Sequence, residues 1–450
     1  MTEPSANQAH KNQFSLLKTR RFLPLFLVQF LGAFNDQVYQ KAFVALITYR
    51  LADQVGISIP MLGIIASGLF ILPFALITPT AGQIADRVDK ARMMRWIKAW
   101  EIVVMCLAAT GFYTQNIYFL YFVLFLMGAQ SAMFAPIKYS VLPQYLSREE
   151  LMGGNGLVQG FTFLAIIFGT IIGNELILTD AGVGIVSVFV VTVAVIGFIA
   201  SLYTPTAPPT AHHGPVDWVF PRAIWKLFKM TSKNGPAIRA ILAISWFWFL
   251  GATFLSLLPA YARVELGVDE GVLTVLLAGF SIGVALGAIA SEALSKGKVG
   301  VALPPVGALG LAIMAVELWL ATPMPPAVGA ELLDRATFFG DMTGWRILVD
   351  FVILAAFAGI YVTPLNAVLQ AESPDETRAS YIACSNVMDA TMMVFSAASV
   401  GVLLALGVGT TEVLVLITLT GLPMAFLVAR YAPETRLGGI ALALWPRGSR

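Results

Sequence analysis

Two stretches, "GAQSAMFAPIKYSVLPQ" (128–144) and "GIYVTPLNAVLQ" (359–370), carry one pattern in two places. In each, an apolar run meets a proline, an aliphatic residue and a polar side chain: Pro136-Ile137-Lys138 in the first, Pro364-Leu365-Asn366 in the second. Asn155 and Asn386 follow at similar distances. The chain therefore reads as two like halves. The 450 residues are 58% hydrophobic and only 12% charged, whereas soluble domains carry about 25% charged residues. Apolar runs of about 20 residues, enough to cross about 30 Å of hydrocarbon, recur throughout.

Spans are predicted near 22–50, 60–82, 93–114, 117–138, 156–178 and 183–203, then near 237–262, 271–294, 300–322, 346–370, 379–407 and 411–430. The expectation is an all-α membrane protein of twelve transmembrane helices. Its parts are a cytoplasmic N-terminal segment (1–21), a six-helix bundle (22–203), a cytoplasmic linker (204–236), a second six-helix bundle (237–431) and a cytoplasmic tail (432–450). The polar start ending in "KTRR" lacks the short apolar core and cleavage site of a signal peptide, so the N-terminus is expected to be retained. The ending "WPRGSR" resembles the remains of a cloning site, which would leave room for a natural chain continuing beyond about residue 440.

With the N-terminus in the cytoplasm, 23 of the 28 Lys and Arg fall on cytoplasmic segments or the helix ends facing them. Arg50, Arg263, Arg335 and Arg346 fall opposite, and Lys41 stays in the membrane. By the positive-inside rule both termini face the cytoplasm. The linker piece "PRAIWKLFKM" sets Trp225 and Phe228 among Arg222, Lys226 and Lys229, either as a short helix on an anionic leaflet or as a plain solvated linker. A net charge of +2 implies no nucleic-acid partner. Cys106 and Cys384 lie within predicted spans and read as small apolar residues.

Charges at membrane depth are costly and face the bundle interior. Here they are Asp36, Lys41, Glu101, Lys138, Glu317, Asp350 and Asp389, with Glu175 and Glu292 nearer helix ends. In "GAFNDQVYQKAF" (32–43) and just before it, Gln29, Gly32, Asp36 and Gln40 form one polar stripe at helical spacing. That stripe is expected to face a water-filled cavity, with Asn35 beside it. Asp36 reads as a headgroup or proton site, or as a structural pair with Lys41 or Lys138. Glu317 and Asp350 read as structural, and Glu101 as a charge near the cytoplasmic interface.

The loop "GQIADRVDKAR" (82–92) resembles the major facilitator signature at Gly82, Asp86, Arg87, Lys90 and Arg92, with Asp89 where that family usually has glycine. These residues are expected to form a conformational latch: close approach at Gly82, and Asp86 free to pair with a basic group or a helix end. The mirror loop "GAIASEALSKGK" (287–298) keeps Gly287, Lys296 and Lys298 but not the Asp-Arg pair. Two parallel six-helix halves are also the major facilitator architecture. In that fold the first, fourth, seventh and tenth helices line the cavity.

More specifically, "RRFLPLFLVQFLGAFND", "APIKYSVLPQ", "NGLVQGFTFLAIIFG" and "VTPLNAVLQ" resemble the lysophospholipid transporter family, including the transporter portion that some bacteria fuse to an acyltransferase and an acyl-carrier-protein synthetase. The resemblance implies a flippase of the bacterial inner membrane. It would move lysophosphatidylethanolamine-type lipids to the cytoplasmic leaflet for reacylation, with membrane lipids and a cytoplasmic acyltransferase or synthetase as further partners. It assigns charged roles to Asp36 and Lys138 and amide roles to Asn155 and Asn366. Gln37 stands where the family commonly has Asn, and Gln159 where it often has Glu.

The expected substrate contacts are Gln29, Asn35, Asp36, Gln40, Lys138, Asn155, Gln159, Trp246, Asn366, Asn386 and Asp389. Lysine suits a phosphate, and a carboxylate or aromatic face suits an ammonium. In "SWFWFLGATF", Trp246, Trp248 and Phe254 are candidates for the acyl-chain lining, or simply pack against lipid and neighbouring helices. His212 and Asp217 in "HHGPVD" have acyltransferase-like spacing, but Gly214 and Pro215 interrupt a short linker, so no enzyme is read here. No GxxxxGK[ST] loop, cofactor site or metal-ligand set is read either. Two alternatives remain: a cation-coupled transporter of a small amphipathic drug or metabolite, and a membrane module that recruits an acyltransferase.

Overall fold

The computed structural model describes residues 13–51, 59–209, 215–295, 298–300, 302–323 and 331–429, apart from the side chains of Tyr49 and of positions 59–61, 63 and 64. His212, Lys296, residues 1–12 and the tail 432–450 lie outside the described residues. The first half contains α1 (Leu23–Leu46), α2 (Ile59–Arg87), α3 (Lys90–Thr114), α4 (Ile117–Ser140), α5 (Leu151–Ile177) and α6 (Gly182–Leu202). A linker helix spans Phe220–Thr231. The second half contains α7 (Gly235–Ala260), α8 (Glu270–Ser295), α9 (Pro304–Ala321), α10 (Met342–Glu372), α11 (Arg378–Ala405) and the consecutive α12 (Thr410–Leu419) and α13 (Gly421–Ala429).

Local chemistry sets the helix starts. Asn116 accepts from Phe119 N at 3.0 Å and starts α4; Asn234 accepts from Ala237 N at 3.2 Å, with Pro236 in the first turn of α7. These are side-chain caps on otherwise unpaired N–H groups. Asp89, the departure from the loop signature, caps α3 through Arg92 N at 2.9 Å and also accepts from Ala207 N at 3.1 Å. A glycine there could do neither.

The first helix of each half ends alike, in a π-helical turn: Ile47–Leu51 after α1 and Tyr261–Glu265 after α7. Packing repeats too. In the first half α1 packs on α5 and α6, α2 on α4, and α3 on α4 and α6. Adding six to each number gives the second half: α7 on α11 and α12, α8 on α10, and α9 on α10 and α12, with α13 extending the last contact. The halves meet through α2 against α11 and α5 against α8, pairs that the same exchange interconverts.

Small residues permit these approaches, as expected where apolar burial gives no drive between helices in lipid. A Cβ on Gly156 of α5 would lie 2.7 Å from Ala288 O of α8, and one on Gly82 of α2 would lie 2.9 Å from Ala379 O of α11. The outer helices expose Val188, Ile196, Ile199, Ile313, Leu320, Val394 and Val402, an apolar belt suited to lipid.

Among the described residues, eleven helices are long and apolar enough to cross a membrane, and α1 is not one of them. Its 24 residues include Gln29, Asn35, Asp36, Gln37, Gln40 and Lys41. Its neighbours α5 and α6 shelter it.

Candidate functional site

Four of the expected residues meet in a cleft between the two halves. Gln159, Asn366, Asn386 and Asp389 line one cleft, together with Tyr139, Ile244, Trp248, Val362, Gln370 and Ser385. Pro364 lies inside α10 two residues before Asn366, whose amide donates to Val362 O at 3.3 Å. Asp389 accepts from Ser245 Oγ at 2.7 Å and from Ser385. Asn386 Nδ2 is buried with no hydrogen-bond partner among the described residues. On the first-half side of the cleft, Tyr139 of α4 donates to Gln159 Oε1 of α5 at 2.5 Å.

Beside that tyrosine sits Lys138. Its Nζ lies 5.1 Å from the centre of the Tyr139 ring and donates to Thr162 Oγ1 at 3.1 Å. Gln29 of α1 donates to the Lys138 carbonyl at 3.3 Å. None of the ion pairs among the described residues involves Lys138. The pairing of Asp36 with Lys41 or Lys138, one of the two sequence readings, does not form. Asp36 instead accepts from Ser131 Oγ at 2.5 Å, and its Oδ1 is buried with no partner among the described residues. Gln40 is half-buried further along α1.

The stripe on α1 runs beside an aromatic ladder. Phe26, Phe30 and Phe34 follow one another at four-residue intervals with ring centres 6.3 and 6.2 Å apart, and Phe161 of α5 stands edge-on to Phe26 at 4.9 Å. Polar and aromatic rows are adjacent on one helix.

Two expected contacts lie elsewhere. Asn35 is fully buried and donates to Glu101 Oε1 at 3.3 Å and Val190 O at 3.1 Å, whereas Asp36 meets Ser131. Trp246 is also buried: it donates to Thr420 Oγ1 at 2.9 Å and stands edge-on to Tyr361 at 5.1 Å, so its neighbour Trp248 is the tryptophan of the cleft. Asn35 is next to Asp36 and Trp246 stands two residues before Trp248, and sequence spacing alone does not separate the faces.

Glu101 requires a correction. Instead of lying at the interface it is 1% exposed, paired with an equally buried Lys98 and hydrogen-bonded by Gln130 Nε2 at 3.0 Å. Ser131 Oγ touches Gln130 Oε1 at 3.1 Å, so one chain of contacts joins Asp36 to the ion pair. Lys98 fits because it passes two glycines: Cβ atoms on Gly32 and Gly197 would each lie 3.2 Å from its Nζ. Gln130 and Ser131 carry no charge and so give no signal at membrane depth, while Lys98 reads in sequence as part of a basic interfacial cluster with Arg92 and Arg95. Glu317 does pair with Arg346, at 2.5 Å, between α9 and α10.

The signature loop and Asn155 gather where the two halves touch, which we call the linker end. Thr377 makes no side-chain cap for α11; Asp86 of α2 supplies it, accepting from Ala379 N at 2.8 Å and Ser380 N at 2.9 Å. A carboxylate at a helix N-terminus is favoured by the helix dipole. Lys90 is buried near Asp86, Asp89, Arg378 and Asp375. Arg87 donates to Gln83 O, and the Arg92 side chain is exposed. Asn155 and Gln370 exchange two hydrogen bonds, of 2.9 and 2.7 Å, across the halves. Asn155 thus joins the two halves, with Gln370 as its partner.

At the same end Arg21 pairs with Glu150 at 2.5 Å. Partial burial is the largest influence on the Glu150 carboxyl and raises it, but the bonds from Arg21 and Ser147 together outweigh burial and leave it below its ordinary value.

Residues 25–388 match the family model of the Major Facilitator Superfamily. The lysophospholipid transporter LplT of Serratia proteamaculans is 27% identical over 389 residues, covering 84% of this chain and 87% of that protein. The LplT of Yersinia enterocolitica is 27% identical over 402 residues, covering 87% and 89%. Among solved structures, the human organic anion transporter MFSD10 superposes with a TM-score of 0.69 at 13% identity, covering 91% of this chain and 99% of that one. A bacterial homologue of the iron transporter ferroportin, in an outward-facing state, gives 0.66 at 14%, covering 91% and 98%. At such identities the superpositions speak for the fold alone. The chain is a multi-pass protein of the bacterial inner membrane, and it belongs to the Major Facilitator Superfamily of transporters.

Proposed function

We propose that this protein is a twelve-helix lysophospholipid transporter, with both termini and the linker end in the cytoplasm. It moves lysophosphatidylethanolamine-type lipids to the cytoplasmic leaflet by alternating access of its two halves. The observation that carries this reading is Lys138: a lysine at membrane depth, beside a cavity, with no carboxylate partner among the described residues. Burying a cation without a counter-ion is costly, so such a site favours a ligand that brings the anion. A phosphate does so.

The remaining features suit the rest of the same molecule. Asp36, with its unfilled Oδ1, and Asp389 are carboxylates that an ammonium can approach. The Phe26, Phe30, Phe34 and Phe161 rings offer a wall for one acyl chain next to that polar row. The LplT relatives carry lysophospholipid transport in their names. On this reading, α1 crosses the membrane as the twelfth span. Asp86 capping α11 and the Asn155–Gln370 pair hold the linker end shut, and the separation of these contacts releases the lipid toward the cytoplasm, where an acyltransferase can use it.

The test is reconstitution into vesicles with labelled lysophosphatidylethanolamine in one leaflet. Protein-dependent movement to the other leaflet is expected. If no movement occurs, the reading fails; if a water-soluble amphiphile is taken up with a cation instead, the drug or metabolite alternative replaces it.

A further inference from the structure

The linker helix, Phe220–Thr231, has three faces rather than two. At 3.6 residues per turn, Ala223, Leu227 and Thr231 share one side, and these are its buried residues. Pro221, Trp225 and Phe228 share a second, turned from the first by about 130°, and Arg222, Lys226 and Lys229 a third, turned by about as much the other way. The buried side rests on α2 and α11, with Thr231 Oγ1 3.3 Å from Cys384 Sγ. The chain just before the helix is pinned to α2: Asp217 N donates to Gln83 Oε1 at 3.1 Å, and Thr80 Oγ1 donates to Asp217 O at 3.2 Å. The helix therefore cannot roll.

The two outer sides are open. Trp225 is 66% exposed, Phe228 40%, and Trp218, Val219 and Phe220 before them 73%, 55% and 41%. Such a run of large apolar side chains is unusual on a water-facing linker. Its only acidic neighbour in the local sequence, Asp217, is used by Arg222 at 2.7 Å, leaving Lys226 and Lys229 with no ion-pair partner among the described residues; Lys233 follows just beyond the helix end. Apolar rings at the depth of the acyl boundary, with cations beside them at the depth of the phosphates, match an anionic lipid surface.

We infer that the linker helix is a docking surface for an anionic phospholipid leaflet, which its aromatic side enters and its basic side holds. Because the helix rests on α2 of one half and α11 of the other, lipid held there also bears on the seam between the halves. The inference is independent of the transported substrate, and of which leaflet the linker end faces.

The test uses the full chain in lipid nanodiscs with hydroxyl-radical labelling of Trp218 and Trp225, read by mass spectrometry. In discs containing phosphatidylglycerol, both tryptophans should oxidise several-fold more slowly than in discs of phosphatidylcholine alone. High salt and the K226E/K229E variant should each restore the faster rate, since the attraction is screened within a Debye length. Equal rates in the two kinds of disc would overturn the inference, as would undiminished protection in K226E/K229E.

Discussion

The two halves share one packing scheme but not one chemistry. In the first half the polar residues form one hydrogen-bonded chain, from the half-buried Asp36 through Ser131 and Gln130 to the buried Glu101–Lys98 pair. In the second they line the cleft without an ion pair: Asp389 with two serines, and the amides of Asn366 and Asn386. At the position where the repeat puts Lys138 in one half it puts Asn366 in the other. The lesson is that the halves share helix contacts, which any small residue can satisfy, while the lysine of the repeat and the fully buried Lys98–Glu101 pair stand in the first half alone.

The largest expected effect probes the buried Lys98–Glu101 pair. Glu101→Gln would leave the Lys98 ammonium buried and unpaired, at a cost of about 3–5 kcal/mol. Thermal unfolding in detergent should show the loss, and Lys98→Met combined with Glu101→Leu should recover most of it. Asp389→Asn removes no ion pair and should cost much less. If the two halves lose equally, the contrast between an ion-paired and an unpaired centre is wrong.

Next come the seams that the exchange of halves interconverts. Gly82→Val and Gly156→Val each drive a side chain into the opposite half, so each should cost about 1–3 kcal/mol of closure at the linker end. Solvent access to a cysteine introduced at Ala288 or Ala383 would report it. Similar shifts support the symmetry, and a shift at one seam alone would break it.

A smaller effect separates two neighbouring tryptophans. Trp246→Phe forfeits the bond to Thr420, worth about 1 kcal/mol of stability, and should leave ligand affinity unchanged. Trp248→Phe, in the cleft, should do the reverse, as ligand titration of both variants would show.

The smallest effect lies at the exposed Arg21–Glu150 pair, worth under about 1 kcal/mol. Because the Glu150 carboxyl is held below its ordinary value, the contribution is present at neutral pH and lost as the pH falls through the folded-state value. Arg21→Ala should flatten that part of the stability profile between neutral and acid pH.

The helices were legible because crossing a bilayer demands long apolar runs, and each predicted span meets a helix within a few residues. The end of α1 was not: its run continues to Leu51, but the last turn is π-helical, which hydropathy does not register. The opposing roles of Asn35 and Asp36 were hidden for a different reason. Adjacent residues on a helix point about 100° apart, and which of them meets the cavity depends on where α4 and α6 stand. Lys98 and Glu101 looked interfacial because they follow the basic residues Arg92 and Arg95, yet Gly32 and Gly197 open a slot that draws them inward. Asp86 was readable as a residue seeking a helix end, whereas Gln370 carried no signal without its partner Asn155 in view.

The central claim is that Lys138 holds the lipid phosphate. Binding of lysophosphatidylethanolamine and of a monoacylglycerol with the same acyl chain, measured on the purified protein and on Lys138→Ala, tests it most directly. The account predicts that the wild type prefers the phosphate-bearing lipid by at least about tenfold, roughly 1.4 kcal/mol, and that Lys138→Ala binds the two alike. An undiminished preference in Lys138→Ala would contradict it.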